Sequence, residues 1–157
     1  MRKLLPLLVL PVALASCGAF GTPRSYNVSG TLSGTAPSGG DVRLAFVGVG
    51  ADGVVNANVP QVDLTLGSKG AFAVDFPQNP AEGAYQVIAY VDANANKKYD
   101  VGEARTKNNG KFLVYSGGGA ISTFAGLKAG WNLVDTGTNP PTVSQPGRVT
   151  GYDLSWS

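Results

Sequence analysis

The chain reads as an all-β protein, a single antiparallel β-sandwich of seven or eight short strands after a cleaved signal peptide. Apolar and polar residues alternate with period two in one short run after another, as half-buried strands require. Turn formers interrupt these runs at short intervals, with 22 Gly and 10 Pro in 157 residues. No segment keeps the periodicity of an amphipathic helix, so regularly spaced strands and turns point to two packed sheets.

Met1-Arg2-Lys3 is a short cationic start, and Leu4 to Leu14 is an almost unbroken apolar run. That order is the signature of a secretory signal peptide. The run falls short of the about 20 apolar residues that cross a bilayer, and Pro6 and Pro11 interrupt it, which favours cleavage over an uncleaved or buried N-terminal segment. The tetrad Leu14-Ala15-Ser16-Cys17 resembles the lipobox of bacterial lipoproteins. The resemblance implies cleavage before Cys17 and a lipid on that cysteine. Residues 1–16 are then the signal peptide, 17–25 a lipidated tether and 26–157 the sandwich. The implied location is the cell envelope, with membrane attachment through the N-terminal lipid. Gly18, where an Asp would signal inner-membrane retention in some bacteria, favours the outer membrane over the outer face of the cytoplasmic membrane.

Tyr26, Val28 and Leu32 open the strand series, alternating with Asn27, Ser29 and Thr31. Val42, Leu44 and Phe46 share the face of a second strand, and Val62, Leu64 and Leu66 that of a third. Gly67-Ser68-Lys69-Gly70 then predicts a hairpin turn into Phe72, Val74 and Phe76. Tyr85 to Val91 is apolar at nearly every position, as a central strand covered on both faces should be. Weaker strands follow at Lys111 to Tyr115, near Ser122 to Leu127, and at Trp131 to Val134. Residues 137–148, with Pro140, Pro141 and Pro146, read as a loop or linker. Tyr152, Leu154 and Trp156 share the face of the last strand.

Val28-Ser29-Gly30-Thr31-Leu32, Lys69-Gly70-Ala71-Phe72 and Glu82-Gly83-Ala84-Tyr85-Gln86-Val87 together resemble the transthyretin-like, or carboxypeptidase-regulatory-like, sandwich. That family repeats a Gly in its first strand, a Gly-x-Phe hairpin and a Gly-x-Tyr-x-Val strand. The resemblance spans about Tyr26 to Tyr115 and implies a fold only, since such sandwiches serve as spacers, adhesion modules and carbohydrate binders alike.

Composition closes off several functions. The chain has no histidine, which excludes histidine-based triads and dyads and the histidine ligand sets of zinc, copper and non-haem iron enzymes. Cys17 is the sole cysteine, so neither an intramolecular disulfide nor a cysteine metal cluster can form. Twelve Lys and Arg face ten Asp and Glu, and loss of Arg2 and Lys3 with the signal leaves a formally neutral mature chain. Such a chain lacks the clustered cations of a nucleic-acid binder. Gly-x-Ser-x-Gly and Ser-x-x-Lys are absent, and no residue is assigned a catalytic role.

One segment carries ligand chemistry. In Asp92-Ala-Asn94-Ala-Asn96-Lys-Lys-Tyr-Asp100-Val-Gly-Glu103, oxygen-bearing side chains fall at positions 1, 3, 5, 9 and 12, the spacing of an EF-hand loop. The Lys98 carbonyl would supply position 7, and Glu103 would close the shell with both oxygens. Calcium, a hard ion taking six to eight oxygens, matches that set and would be structural. Lys97 departs from the pattern where a glycine would make the sharp turn, and the competing reading is a polar loop whose Asn and Asp cap turns. The expected function is non-enzymatic: a lipid-anchored structural or interaction module stabilised by one calcium, whose partner is another envelope protein or a surface polysaccharide. The alternative is a carbohydrate-binding module for polysaccharide or peptidoglycan, with Trp131, Trp156 and tyrosines stacking on sugars.

Overall fold

The computed structural model describes residues 27–50, 55–56, 61–62, 70–78, 80–107, 109–119 and 125–156. The signal peptide, Cys17 and the tether lie outside these residues. The described chain is all-β and contains no α-helix. Ten strands follow in order: β1 (Val28–Ser33), β2 (Asp41–Val49), β3 (Val55–Asn56), β4 (Gln61–Val62), β5 (Ala71–Val74), β6 (Gly83–Asp92), β7 (Lys111–Ser116), β8 (Gly130–Asp135), β9 (Thr142–Ser144) and β10 (Leu154–Ser155). They form a three-stranded sheet, β10-β1-β5, and a seven-stranded sheet, β3-β2-β6-β7-β8-β9, with β4 also paired to β2.

The main core lies between the sheets. Val28, Phe72, Val74, Val149, Tyr152, Leu154 and Trp156 meet Leu44, Phe46, Tyr85, Val87, Ala89, Val91 and Leu113 from the larger sheet. Full burial of each large apolar side chain contributes about 1.5–3 kcal/mol, so this seam supplies most of the drive to fold. A second cluster, Ala45, Val47, Ile88, Tyr90 and Tyr99, covers the outer face of the larger sheet. Strand β6 therefore has apolar neighbours on both faces, which is why its sequence does not alternate.

Three features of the layout go beyond the alternation pattern. One pairing is parallel: β10 runs alongside β1, with Leu32 opposite Leu154 and Ser33 opposite Ser155. Gly30 makes this approach possible, because a Cβ there would collide with the Tyr152 carbonyl. Residues 63–69 of the predicted hairpin lie outside the described residues; on either side of them β4 pairs with β2 and β5 with β1. Alternation fixes which face of a strand is buried but not which strand it joins. Gly70 has a φ of 71° and packs its Cα against the Leu32 carbonyl, so it serves the approach of β5 to β1. Finally, Ala125 to Leu127, within the strand expected near Ser122 to Leu127, is turn and coil; 120–124 lie outside the described residues.

Strand β6 changes partner along its length. It pairs with β7 only from Gly83 to Tyr85. Beyond that the Tyr152 hydroxyl fills the gap, accepting from the Val87 N–H at 3.3 Å and donating to the Lys111 carbonyl at 2.9 Å. Farther on the chain itself returns: the Val91 N–H donates to the Ala104 carbonyl and the Thr106 N–H to the Ala89 carbonyl. The Thr106 hydroxyl accepts from the Ala89 N–H at 3.1 Å. The segment between Asp92 and Glu103 is thus an excursion pinned at both ends to the same strand.

Candidate metal centre

Strand β6 delivers Asp92 to the start of this excursion, and Gly40 sits against the Asp92 carbonyl with no room for a Cβ. The Asp92 side chain is 0% exposed. Its Oδ2 accepts from Arg43 Nε at 2.7 Å and from the Lys97 N–H at 3.0 Å, while Oδ1 accepts from the Asn96 N–H at 3.1 Å. A buried carboxylate needs such compensation, because desolvating an unpaired charge is costly.

The next positions turn tightly. Asn94 Oδ1 accepts from the Asn96 N–H, and Asn96 Oδ1 from the Lys98 N–H at 2.7 Å. These are side-chain-to-backbone turns of the kind Asn favours. The amide nitrogens of Asn94 and Asn96 both donate to Asp100 Oδ2, at 2.8 and 2.7 Å. These bonds, Asn94 first, hold the Asp100 carboxyl below its ordinary range, with a smaller contribution from the Lys98 charge. Glu103 closes the loop, accepting from the Ala93 N–H through Oε1 and from the Asp100 N–H through Oε2, each at 2.9 Å.

The backbone makes the left-handed turn that Lys97 put in doubt. Lys97 has a φ of 63° and Ala95 a φ of 57°. Each non-glycine residue in that region costs on the order of 1 kcal/mol, offset by the hydrogen bonds that converge on Asp92 and Asp100.

Sequence reasoning missed Arg43 and Tyr99. Arg43 lies on β2 opposite Tyr90 and reaches Asp92 across the sheet, a contact that depends on strand register. Tyr99 is 4% exposed and packs edge-on against Tyr90 with ring centroids 5.5 Å apart, anchoring the loop to the outer face. As the lone aromatic residue in a polar stretch, it was a legible signal for that anchor.

The donor chemistry of the loop suits a hard cation, with three carboxylates and two amides in one turn. To present carbonyl oxygens to an ion beside Asp100, the two amides would turn over, exchanging their N–H donors for acceptors. Among the described residues no three Asp, Glu, Cys or His side chains converge as a ligand set. Asp92 is committed to Arg43 and backbone, Asp100 to the asparagines and Glu103 to backbone. Cys17, the predicted lipidation site, lies outside the described residues.

The aromatic residues considered for sugar stacking are largely packed. Trp156 is 8% exposed within the core. Half-buried Trp131 stacks on Phe76 at 4.5 Å and meets Phe46, Tyr85 and Tyr115 edge-on or tilted at 5.2–5.6 Å. No family model matches the chain, and no curated protein or solved structure matches it either.

Proposed function

We propose that this chain is a non-enzymatic cell-envelope lipoprotein, a β-sandwich tethered to the membrane through a lipid on Cys17, with structural or interaction duties at the surface. The observation that carries the reading is Leu14-Ala15-Ser16-Cys17 at the end of the apolar run, with the sole cysteine at the cleavage position. The absence of histidine supports the non-enzymatic part. Kinship with transthyretin-like sandwiches belongs to the same proposal, supported by the placement of Gly30 and Gly70 at close backbone approaches. A carbohydrate-binding role has less support, because the tryptophans are packed into the core and its edge.

Labelling bacteria that express the full chain with an alkyne fatty acid tests the anchor. Incorporation into the wild type and its loss in Cys17→Ser, with release of the variant from the membrane fraction, is the expected result. Equal membrane retention of an unlabelled Cys17→Ser protein would overturn it.

The proposal includes one structural calcium in the Asp92–Glu103 loop, held by Asp92, Asn94, Asn96, the Lys98 carbonyl, Asp100 and Glu103. Calcium at tenfold its dissociation constant stabilises a fold by about 1.4 kcal/mol. Addition of calcium should raise the melting temperature, and Asp100→Asn should abolish the rise without removing the Asp92 and Glu103 staples. An unchanged melt with calcium and with chelator would remove the metal from the reading.

A further inference from the structure

The sandwich has two chemically different ends, and the N-terminal chain emerges at one of them. Asn27 Oδ1 accepts from the Phe76 N–H at 3.0 Å, so the first described residue lies beside Phe76. The Phe76 ring stacks on Trp131, which is opposite Tyr115 in the β7–β8 register, and Tyr115 is opposite Gly83 at the start of β6. Phe76, Tyr115 and Trp131 therefore crowd the end where the tether arrives. Each is half-buried and packs against the edge of the core.

The Asp92–Glu103 loop is at the opposite end. It follows the last residue of β6, and the ten residues of that strand span roughly 30 Å at about 3.3 Å each. Trp156 is at this far end too, packed against Gly34, its N–H donating to the Ser33 carbonyl.

We propose that the Phe76–Tyr115–Trp131 end docks on the bilayer that holds the lipid, leaving the Asp92–Glu103 loop and the 76%-exposed Val101 facing away from the membrane. The inference rests on the Cys17 anchor reading. Nine residues separate Cys17 from Asn27, and Asn27 lies beside Phe76, so along the chain the aromatic end is the one nearest the anchor. Trp and Tyr rings favour the membrane–water interface, where an apolar body and a polar tip are both satisfied. The mature chain is formally neutral, so contact depends on these rings rather than on charge. A membrane-distal loop is then free to meet partners.

The two tryptophans, one at each end, provide the test. Full-length Trp156→Phe, which keeps Trp131, and Trp131→Phe, which keeps Trp156, are expressed with lipoprotein processing and reconstituted in phosphatidylcholine vesicles carrying nitroxide near the headgroup. Nitroxide lipid should quench Trp131 fluorescence at least twofold and leave Trp156 nearly unchanged. Amide hydrogen exchange on the wild type, with and without vesicles, covers the case of a variant that fails to fold. Added protection belongs at Phe76 and Gly130 to Trp131, and none at Asn94 to Glu103. Equal quenching of both tryptophans, stronger quenching of Trp156, or no quenching in a chain shown by mass spectrometry to carry the lipid would overturn the docking while leaving the anchor standing. A chain without lipid on Cys17 overturns the anchor and the docking with it.

Discussion

Arg43 neutralises Asp92 across two neighbouring strands, its Nε 2.7 Å from Oδ2, with the carboxylate fully enclosed and the arginine side chain 17% exposed. The pair ties the outer face of the larger sheet to the first residue of the polar loop. The same carboxylate takes the Asn96 and Lys97 N–H groups, so one buried charge organises both sheet edge and turn.

Replacing Asp92 by Ala should therefore be among the most damaging single changes in the loop. It removes the 2.7 Å partner of Arg43, leaving the guanidinium its longer contact with Asp41 at 3.7 Å, and takes the acceptor from the Lys97 N–H while the Asn96 N–H keeps only Asn94 Oδ1, a loss of about 3 kcal/mol by analogy with broken buried pairs. Arg43→Met should cost less, because two N–H groups still serve the carboxylate. Urea denaturation of both variants checks the order; a milder effect for Asp92→Ala would show that the ion pair does not organise the loop.

Tyr152→Phe removes the hydroxyl that bridges β6 and β7. The buried Val87 N–H and the Lys111 carbonyl then lose a partner each, at a cost of about 2 kcal/mol. Burial also raises the Tyr152 and Tyr85 phenols above the ordinary value of 10.0. A phenol with a raised folded pKa contributes stability that is complete below its unfolded pKa and is lost as pH climbs through the folded one. Stability should decline above about pH 10, and less steeply in Tyr152→Phe. Denaturant midpoints across that range, with tyrosinate absorbance, provide the measurement.

Acid should act through different residues. Asp153 accepts from the Thr31 hydroxyl at 2.7 Å and the Thr31 N–H at 2.9 Å, and these bonds, hydroxyl first, hold its carboxyl below the ordinary 3.8. A lowered carboxylate contributes stability that is present above the unfolded pKa and lost as pH falls through the folded one. The β1 and β10 seam and the Asp100 turn should both loosen below about pH 3.8. Thr31→Val should bring the Asp153 titration back toward its ordinary position and leave Asp100 unmoved, as carboxyl NMR titrations would show.

The sequence made the sheet residues legible where burial is simple. Tyr85 to Val91 had to be central because both faces are apolar, and Tyr152, Leu154 and Trp156 were on one buried face as their spacing required. Strand partnership was not legible, since the same alternation suits either sheet; β4 joins β2 and β5 joins β1, and β10 lies parallel to β1 for reasons held in the register and in Gly30. Within the loop, the spacing of Asp92, Asn94, Asn96, Asp100 and Glu103 announced a tight polar turn. Arg43 stayed hidden because it lies 49 residues from Asp92 and meets it only through the β2–β6 ladder.

Lys97 offers the most direct test of how that turn is held. Its backbone is left-handed, with a φ of 63°, where glycine carries no Cβ penalty. Its N–H nevertheless bonds Asp92 Oδ2, and the lysine side chain is exposed, so substitution leaves the hydrogen-bond pattern intact. Lys97→Gly should be neutral to stabilising by up to about 1 kcal/mol, the relieved strain partly cancelled by the greater freedom of the unfolded chain. It should also favour calcium, by removing a positive charge beside the carboxylates. Paired melts of wild type and variant, with calcium and with chelator, separate the two effects. A backbone gain persists in chelator, whereas a charge gain appears only with the ion. Clear destabilisation under both conditions would mean that the lysine side chain itself holds the turn.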